Sequence, residues 1–280
     1  MGPNRQPSPL GQTKHRHDDI EDGTLARTAS PHPSPVGTKA PAAPAKARRT
    51  VAKGACAYLN PRAGGTVTAP SEAFDRLRGK SGAAKVSSPE TKDSYTWPDK
   101  STSKAVQQEV EIDGQKIRVV RPTDDGAKGK NLPTTKELAE ALRAIPADQR
   151  AHTSVIVVSP TPSPDKSASG TIAGEGGSGE IRLYPVTAAQ AQNDFDNRLT
   201  HESGHNVQGQ FWTGAGDVHD WQTAADADSS RPSPYAASTT GDDFSEFNVL
   251  FNAARGTACE ATAKKIYPNR WAKMESYRSK

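Results

Sequence analysis

Two short apolar runs flank the dipeptide Asp113–Gly114 and predict a β-hairpin. Val110–Ile112 precedes the dipeptide, and Ile117–Val120 follows it. An Asp-Gly pair favours the tight primed turn between antiparallel strands, because such a turn needs a positive φ at both of its central residues. Pro122 ends the hairpin, since proline has no N–H group to donate to a neighbouring strand.

The residues after the hairpin predict one helix and two strands. Helical spacing relates three apolar residues, Leu138, Leu142 and Ile145. Thr134 or Thr135 can cap this helix, and Pro146 stops it. The β-branched run Ser154–Ser159 predicts a buried strand. Apolar and polar residues alternate in Gly179–Pro185, which predicts a half-exposed strand able to form the sheet edge along which a peptide lies extended.

The next helix is predicted to run from Ala188 to Gln208 or Gln210. Thr187 is its expected cap, and Gln190 stands where a capping box closes. Its apolar face consists of Phe195, Leu199 and Val207. Residues 211–240 are rich in Gly, Ser, Pro and Asp and predict a loop with small elements. Its aromatic residues either form a functional wall or plug the space beneath the loop.

A further helix is predicted from Thr240, with an apolar stripe of Phe244, Phe247, Leu250 and Phe251, and a last helical region covers Thr257–Lys265. This order of elements indicates an α+β domain with a small mixed sheet and a C-terminal helical part, expected at residues 105–280. Residues 51–104 are a poorly defined linker or a partly ordered extension, because Gly and Ser clusters interrupt them. Residues 1–50 predict a disordered arm rich in Pro, Ser and Ala with polyproline II character.

The composition of the chain bears on two classes of partner, nucleic acids and membranes. Only 33% of the 280 residues are hydrophobic, and the formal charge is +4 with Lys and Arg scattered among Asp and Glu. Such a surface gives no reason to expect nucleic-acid binding. No run approaches 18 consecutive apolar residues, so no membrane span is expected.

The start of the chain and its two cysteines bear on where it works. Met1–Leu10 lacks the apolar run of a secretory signal peptide. We therefore expect a cytoplasmic location as synthesised, with any export following a signal-independent route in which the N-terminal arm engages an export or injection apparatus. Cys56 and Cys259, far apart in sequence, fit a cytosolic chain with two free thiols, and one long-range disulfide stays open.

The pentapeptide His201-Glu-Ser-Gly-His205 lies on the predicted central helix and has the form His-Glu-x-x-His. Residues four apart share a helix face, so both imidazoles can point at one metal ion. Glu202 is about 100° around the helix from His201, where a general base can reach a metal-activated water. A chance match in a chain of this composition is on the order of one in a hundred, so the motif is fairly specific.

Two histidines and a water leave a hydrolytic zinc site one protein ligand short. A third histidine on the motif helix is excluded, because Gln208 and Phe211 occupy the positions where that pattern needs Gly and His. Several residues of the loop stay open as ligands: Asp217, His219, Asp220, Asp226 and Asp228. Glu246 on the following helix fits best. Asp243 is either a helix cap or an acceptor for the free ring N–H of a ligand histidine.

The motif, Trp221, Ser233–Ala236 and Asp242–Glu246 together resemble the catalytic domain of anthrax-lethal-factor-like zinc metallopeptidases. The resemblance covers roughly residues 105–275. It implies a zincin-like fold of the gluzincin type, with one Zn²⁺ on His201, His205 and Glu246 and with Glu202 as general base. It further implies that Tyr235 stabilises the oxyanion. Ser245 stands where that family usually has Ala.

The expected function is a zinc-dependent endopeptidase that hydrolyses a protein or peptide substrate by a metal-activated water. A signal-free start suggests a bacterial effector or toxin exported without a cleavable signal. The alternative is a catalytically silent metal-binding protein that interacts with partners through its Pro-rich arm.

Overall fold

The structure is a computed structural model that describes residues 56–60, 65–165 and 172–279. These residues form the α+β fold predicted from the sequence. All of them belong to one compact unit, Arg49–Lys280. The predicted disordered arm at 1–50 lies outside the described residues.

One mixed sheet is built from strands between residues 85 and 183. Its seven strands are β1 (Lys85–Val86), β2 (Glu90–Thr96), β3 (Thr102–Ile112), β4 (Gln115–Pro122), β5 (Val155–Val158), β6 (Gly174–Gly177) and β7 (Glu180–Leu183). The order across the sheet is β1-β3-β4-β5-β7-β6, and β2 also pairs with β3. β4, β5 and β7 run parallel, whereas the other pairs are antiparallel.

Helices precede, separate and follow these strands. Those that are described are α1 (Ser71–Arg78), α2 (Asp124–Ala127), α3 (Thr135–Arg143), α4 (Ala147–Arg150), α5 (Gln192–Phe211), α6 (Ala215–Ala227), α7 (Thr240–Ala254), α8 (Glu260–Ile266) and α9 (Pro268–Arg278). Short 3-10 turns cover Ala57–Leu59 and Tyr235–Ala237. Within the described ranges, every helix is too short or too polar to cross a membrane.

The hairpin and the helix after it are confirmed. Asp113 and Gly114 have φ values of 52° and 79°, which is the primed turn that Asp-Gly favours. Thr134 caps α3, with Glu137 closing a capping box. The predicted strand at 154–159 is β5, whose four residues are all buried between β4 and β7. Apolar residues of α3 and α5 cover one face of these strands.

The prediction that the strand before the motif helix forms the sheet edge is wrong. That strand is β7, which pairs with β5 on one side and with β6 on the other. The edge is β6, four residues of sequence Gly-Glu-Gly-Gly. Glycine has low strand propensity, so the sequence gives β6 no strand signal.

The interpretation of 211–240 as mostly loop is also wrong, because α6 occupies Ala215–Ala227. Trp221 of α6 is fully buried, with its ring centroid 4.8 Å from that of Phe244 on α7. It is therefore a core residue. Trp271 and Met274 of α9 are buried in the same aromatic cluster.

The two helices that carry the motif residues begin near their predicted starts. α5 starts at Gln192, so the cap predicted at Thr187 is wrong. The Asp194 carboxylate instead accepts a hydrogen bond from the Ala191 N–H at 2.9 Å. α7 starts at Thr240, as predicted, and the Thr239 hydroxyl accepts the Asp242 N–H at 2.9 Å. This cap fixes the first turn of α7, where Asp242 lies.

A disulfide joins Cys56 to Cys259, 203 residues apart in sequence. The alternative of two free thiols is therefore not what the structure has. Tyr267 supports the same connection, because its hydroxyl donates to the Leu59 carbonyl at 2.9 Å. The disulfide thus ties the segment before α1 to the start of α8.

Candidate metal centre

His201 and His205 lie one turn apart on α5, with their ring centroids separated by 5.1 Å. His201 is buried and His205 is partly exposed. Both rings turn their Nε2 atoms towards the first turn of α7. The Asp242 Oδ1 atom lies there, 3.9 Å from Nε2 of His201 and 3.8 Å from Nε2 of His205.

These three side chains form a group that could hold a metal ion. One ligand atom from each of His201, His205 and Asp242 lies within 4.8 Å of the others. Zinc–ligand bonds of about 2.0–2.1 Å in a tetrahedral arrangement separate two ligand atoms by roughly 3.3 Å. The observed separations of 3.8 and 3.9 Å therefore need only a small closure to fit such an ion.

The Nδ1 atoms of the two histidines also support a metal ion at the Nε2 atoms. Nδ1 of His201 lies 2.8 Å from Oε1 of Glu246, and Nδ1 of His205 lies 3.1 Å from Oε1 of Gln208. An oxygen acceptor at Nδ1 favours the tautomer with the proton on that nitrogen. Each neutral ring then directs the lone pair of Nε2 towards the Asp242 carboxylate. Three electron-rich atoms that face one another in this way favour a bound cation.

Glu246, the third metal ligand predicted from the sequence, is placed on the Nδ1 side of His201. One carboxylate oxygen bonds that nitrogen at 2.8 Å. The other oxygen accepts the Ser233 hydroxyl at 2.6 Å and the backbone N–H of Val67. Glu246 is 1% exposed, so these three donors satisfy a carboxylate that water does not reach. The structure thus gives Glu246 the geometry of a residue that orients His201.

Negative charge surrounds His201. Burial alone would lower the pKa of this imidazole, but the hydrogen bond to Glu246 and the charges of Glu202, Glu246 and Asp242 raise it to about 9. The pocket therefore favours a positive charge at His201, either as a proton on the ring or as a cation beside it.

Glu202, the predicted general base, is buried beneath the edge strand β6. Burial raises its pKa to about 7, against the lowering effect of His201 and Arg198. A side chain at Gly174 would place its Cβ 2.5 Å from Oε1 of Glu202, and one at Gly176 would place its Cβ 2.0 Å from the Glu202 carbonyl oxygen. Only glycine permits this approach. The glycine-rich sequence of β6 thus lets the strand cover the carboxyl group.

Tyr235, the oxyanion stabiliser that the family resemblance implies, lies beside the cluster. Its ring centroid is 5.8 Å from that of His201. Burial, the charges of Asp242, Glu202 and Glu246, and a hydrogen bond to Asp242 raise the pKa of the Tyr235 hydroxyl. The hydroxyl therefore stays protonated and donates to the carboxylate that faces both histidines.

The other candidate ligands lie outside this group. Asp243 accepts from the Arg270 guanidinium and from Nε1 of Trp221. Asp228 also binds Arg270. Asp217, His219, Asp220 and Asp226 lie on α6, and none of them is in the cluster of the described residues.

Asp242 and Ser233 are the site residues that sequence reasoning missed. A usable signal existed for Asp242, because Asp242 and Glu246 are four residues apart and share one face of α7. Helical spacing alone does not say which carboxylate reaches Nε2 and which reaches Nδ1. That choice depends on how closely α5 and α7 approach. A Cβ on Gly204 would lie 3.1 Å from the Ser245 Cα, so small residues bring the two helices together.

Comparison of the chain with protein-family models, with curated proteins and with solved structures finds no match. Functional inference therefore depends on the site's own geometry.

Proposed function

We propose that this chain is a zinc-dependent endopeptidase with a zincin-like catalytic domain. His201, His205 and Asp242 would hold the ion, one per chain. The observation that carries the proposal is the convergence of both Nε2 atoms on Asp242 Oδ1, at 3.9 and 3.8 Å, with Glu202 next to His201 in sequence. Two imidazoles and one carboxylate that leave a position open for water are the donor set of catalytic zinc sites.

When bound, Zn²⁺ would supply Lewis-acid chemistry, polarising a peptide carbonyl and lowering the pKa of a water molecule. Glu202 takes the proton from the attacking water and later gives it to the leaving nitrogen. A carboxyl group with a pKa near 7 suits both transfers. Gly174 of β6 lies against this carboxyl and Gly176 lies against the Glu202 backbone carbonyl, so the strand restricts the access of bulk water to the carboxyl group.

Two residues support the transfer. Glu246 holds the His201 ring in its metal-binding tautomer through the 2.8 Å contact to Nδ1. The Tyr235 hydroxyl lies beside Asp242 and stays protonated, so it can donate a hydrogen bond to the oxyanion that develops on the substrate carbonyl.

The substrate class follows from the sheet edge. β6 pairs with β7 on one side only among the described strands, and it lies directly against Glu202. An extended peptide that pairs with the free side of β6 would carry its backbone past the candidate centre. A protein or peptide chain is therefore the proposed substrate.

The disulfide supports a site of action in an oxidising compartment. Disulfides persist outside the cell and are reduced in the cytosol. A chain that closes Cys56 to Cys259 is therefore proposed to work after export. Mass spectrometry of peptides from the secreted and intracellular chain under non-reducing conditions tests this, and a fully reduced extracellular chain would contradict it.

The test of the proposed function compares cleaved protein termini produced by the wild type and by Glu202→Gln. We expect the wild type to generate new termini and Glu202→Gln to lower the cleavage rate by about 10²- to 10⁴-fold while keeping its zinc. Glu72→Gln, an exposed carboxylate on α1, is the matched control. Equal cleavage by Glu202→Gln would exclude the mechanism. Zinc binding without any cleavage by the wild type would favour the silent metal-binding alternative.

A further inference from the structure

Arg198 lies on the open face of the motif helix. Between Phe195 and Val207, every residue of α5 is buried except Arg198 and His205. Seven residues separate these two, which is two turns of one helix face. Arg198 therefore shares the accessible stripe of α5 with a candidate metal ligand, one turn towards the N-terminus from His201 and Glu202.

The Arg198 guanidinium has no structural partner among the described residues. It forms no hydrogen bond or ion pair with another described residue, and only the more distant charges of Glu202 and Asp194 act on it. Three buried or half-buried arginines differ, because each binds a carboxylate: Arg78 binds Asp196, Arg150 binds Asp113, and Arg270 binds Asp243. A desolvated guanidinium without such a partner has unused donors that suit a carboxylate.

In the proposed reaction, Arg198 lies on the side of the site that holds the leaving part of the substrate. Glu202 gives its proton to the leaving nitrogen, so that nitrogen must lie at the Glu202 end of the site. Arg198 is four residues further along α5, about 6 Å along the helix axis. Successive residues of an extended peptide are about 3.3–3.6 Å apart. A leaving part that runs along α5 towards the helix N-terminus would therefore bring its first or second residue within reach of the guanidinium.

We infer that Arg198 is a specificity-determining residue that binds a carboxylate on the leaving part of the substrate. This inference rests on the proposed function. The carboxylate comes from one of two sources: an acidic side chain just after the scissile bond, or the free carboxyl terminus when the leaving part is very short. In either case Arg198 selects anionic leaving groups and offsets the repulsion from the carboxylates of the site.

The first test measures cleavage of a mixed-sequence peptide library by the wild type, Arg198→Gln, Arg198→Lys and the matched control Arg118→Gln. Arg118 is an exposed arginine on β4. We expect the wild type and the control to prefer Asp or Glu just after the cut. Arg198→Gln should lose about 10- to 100-fold in kcat/KM for acidic peptides relative to their Gln counterparts, and Arg198→Lys should keep part of the preference.

Cuts confined to the last residues of the library peptides would assign the carboxylate to the chain terminus. Acidic enrichment at interior cuts would assign it to a side chain. A wild type without acidic preference, or an unchanged preference in Arg198→Gln, would overturn the inference while leaving the peptidase proposal intact.

The second test measures binding without turnover in zinc-loaded Glu202→Gln. The probes are three peptidyl hydroxamates with the same metal-binding group: one with a neighbouring Glu, one with Gln, and one with Gln and a free carboxyl terminus. We expect an anionic probe to bind about 10- to 100-fold more tightly than the neutral Gln probe, and the added Arg198→Gln change to remove the difference. Equal binding of all three probes would contradict the role of Arg198, even if the wild type cleaves nothing.

Discussion

The centre of the sheet and the interface between α5 and α7 are both buried, but different interactions fill them. β5 consists of four apolar residues, and Leu142 of α3 packs against the same sheet. Between α5 and α7, buried polar groups predominate: Asn248 donates to the Thr200 carbonyl at 3.2 Å, and Glu246 bonds His201. Apolar packing tolerates changes that conserve volume, whereas a buried polar network needs every partner. The first region therefore sets stability, and the second sets the geometry of the site.

Leu142→Ala should destabilise the sheet and leave the candidate metal centre in place. Leu142 is fully buried, so truncation leaves a cavity that costs about 2–5 kcal/mol in the free energy of unfolding. Urea titration measures this loss, and zinc content per folded chain should stay unchanged. Leu142→Met, which conserves volume, should cost less than about 1.5 kcal/mol. Loss of zinc from folded Leu142→Ala would contradict the separation of the two regions.

Tyr235→Phe should alter the site and leave the fold alone. Removing one donor to a developing oxyanion costs about 10²- to 10³-fold in kcat, or about 2.7–4 kcal/mol. Steady-state kinetics on a cleaved peptide measures the effect, with urea stability and zinc content as controls. A kcat within twofold of the wild type would limit Tyr235 to its contact with Asp242.

Cys56→Ser should lower the stability of the whole unit, because the disulfide restricts the conformations of the unfolded chain. Opening a disulfide that spans 203 residues is expected to lower the free energy of unfolding by about 2–4 kcal/mol. Treating the wild type with a dithiol reductant should lower it by a similar amount, and the same treatment should leave Cys56→Ser unchanged. A wild type whose unfolding is insensitive to the reductant would show that the bond does not stabilise the unit.

Glu246→Gln should lower the metal affinity of the site by a modest amount. The amide can no longer accept from both His201 and the Val67 N–H, because one of its two terminal atoms is a donor. Loss of a residue that orients a ligand histidine lowers metal affinity by about 10- to 100-fold. Competition with a fluorescent zinc chelator measures the change. Ser233→Ala, which removes one other donor to Glu246, should give a smaller decrease.

The sequence predicts the elements with regular apolar spacing or clear turn residues better than the elements that depend on tertiary contacts. The hairpin around Asp113–Gly114, α3 and β5 follow from local periodicity and turn chemistry, and the structure confirms them. The sequence does not predict β6, because its glycines are required by the close approach of the strand to Glu202, which is a tertiary constraint. α6 escapes because only Trp221 and Ala225 of its residues are buried, so its apolar spacing is weak.

The candidate site divides in the same way. His201, Glu202 and His205 are identified by the spacing of one motif on one helix. Asp242 and Glu246 are one turn apart on another helix, and either carboxylate satisfies the sequence pattern. The assignment depends on a helix–helix distance set at Gly204 and Ser245, which no local pattern encodes.

The most direct measurement is zinc titration of the metal-free wild type, Asp242→Asn, Glu246→Gln and the control Asp217→Asn, followed by chelator competition and the visible spectrum of bound Co²⁺. The account predicts about one tight site in the wild type and in Asp217→Asn, a modest loss of affinity in Glu246→Gln, and the largest loss with an altered Co²⁺ spectrum in Asp242→Asn. Wild-type affinity in Asp242→Asn together with loss of metal in Glu246→Gln would contradict it and make Glu246 the third ligand.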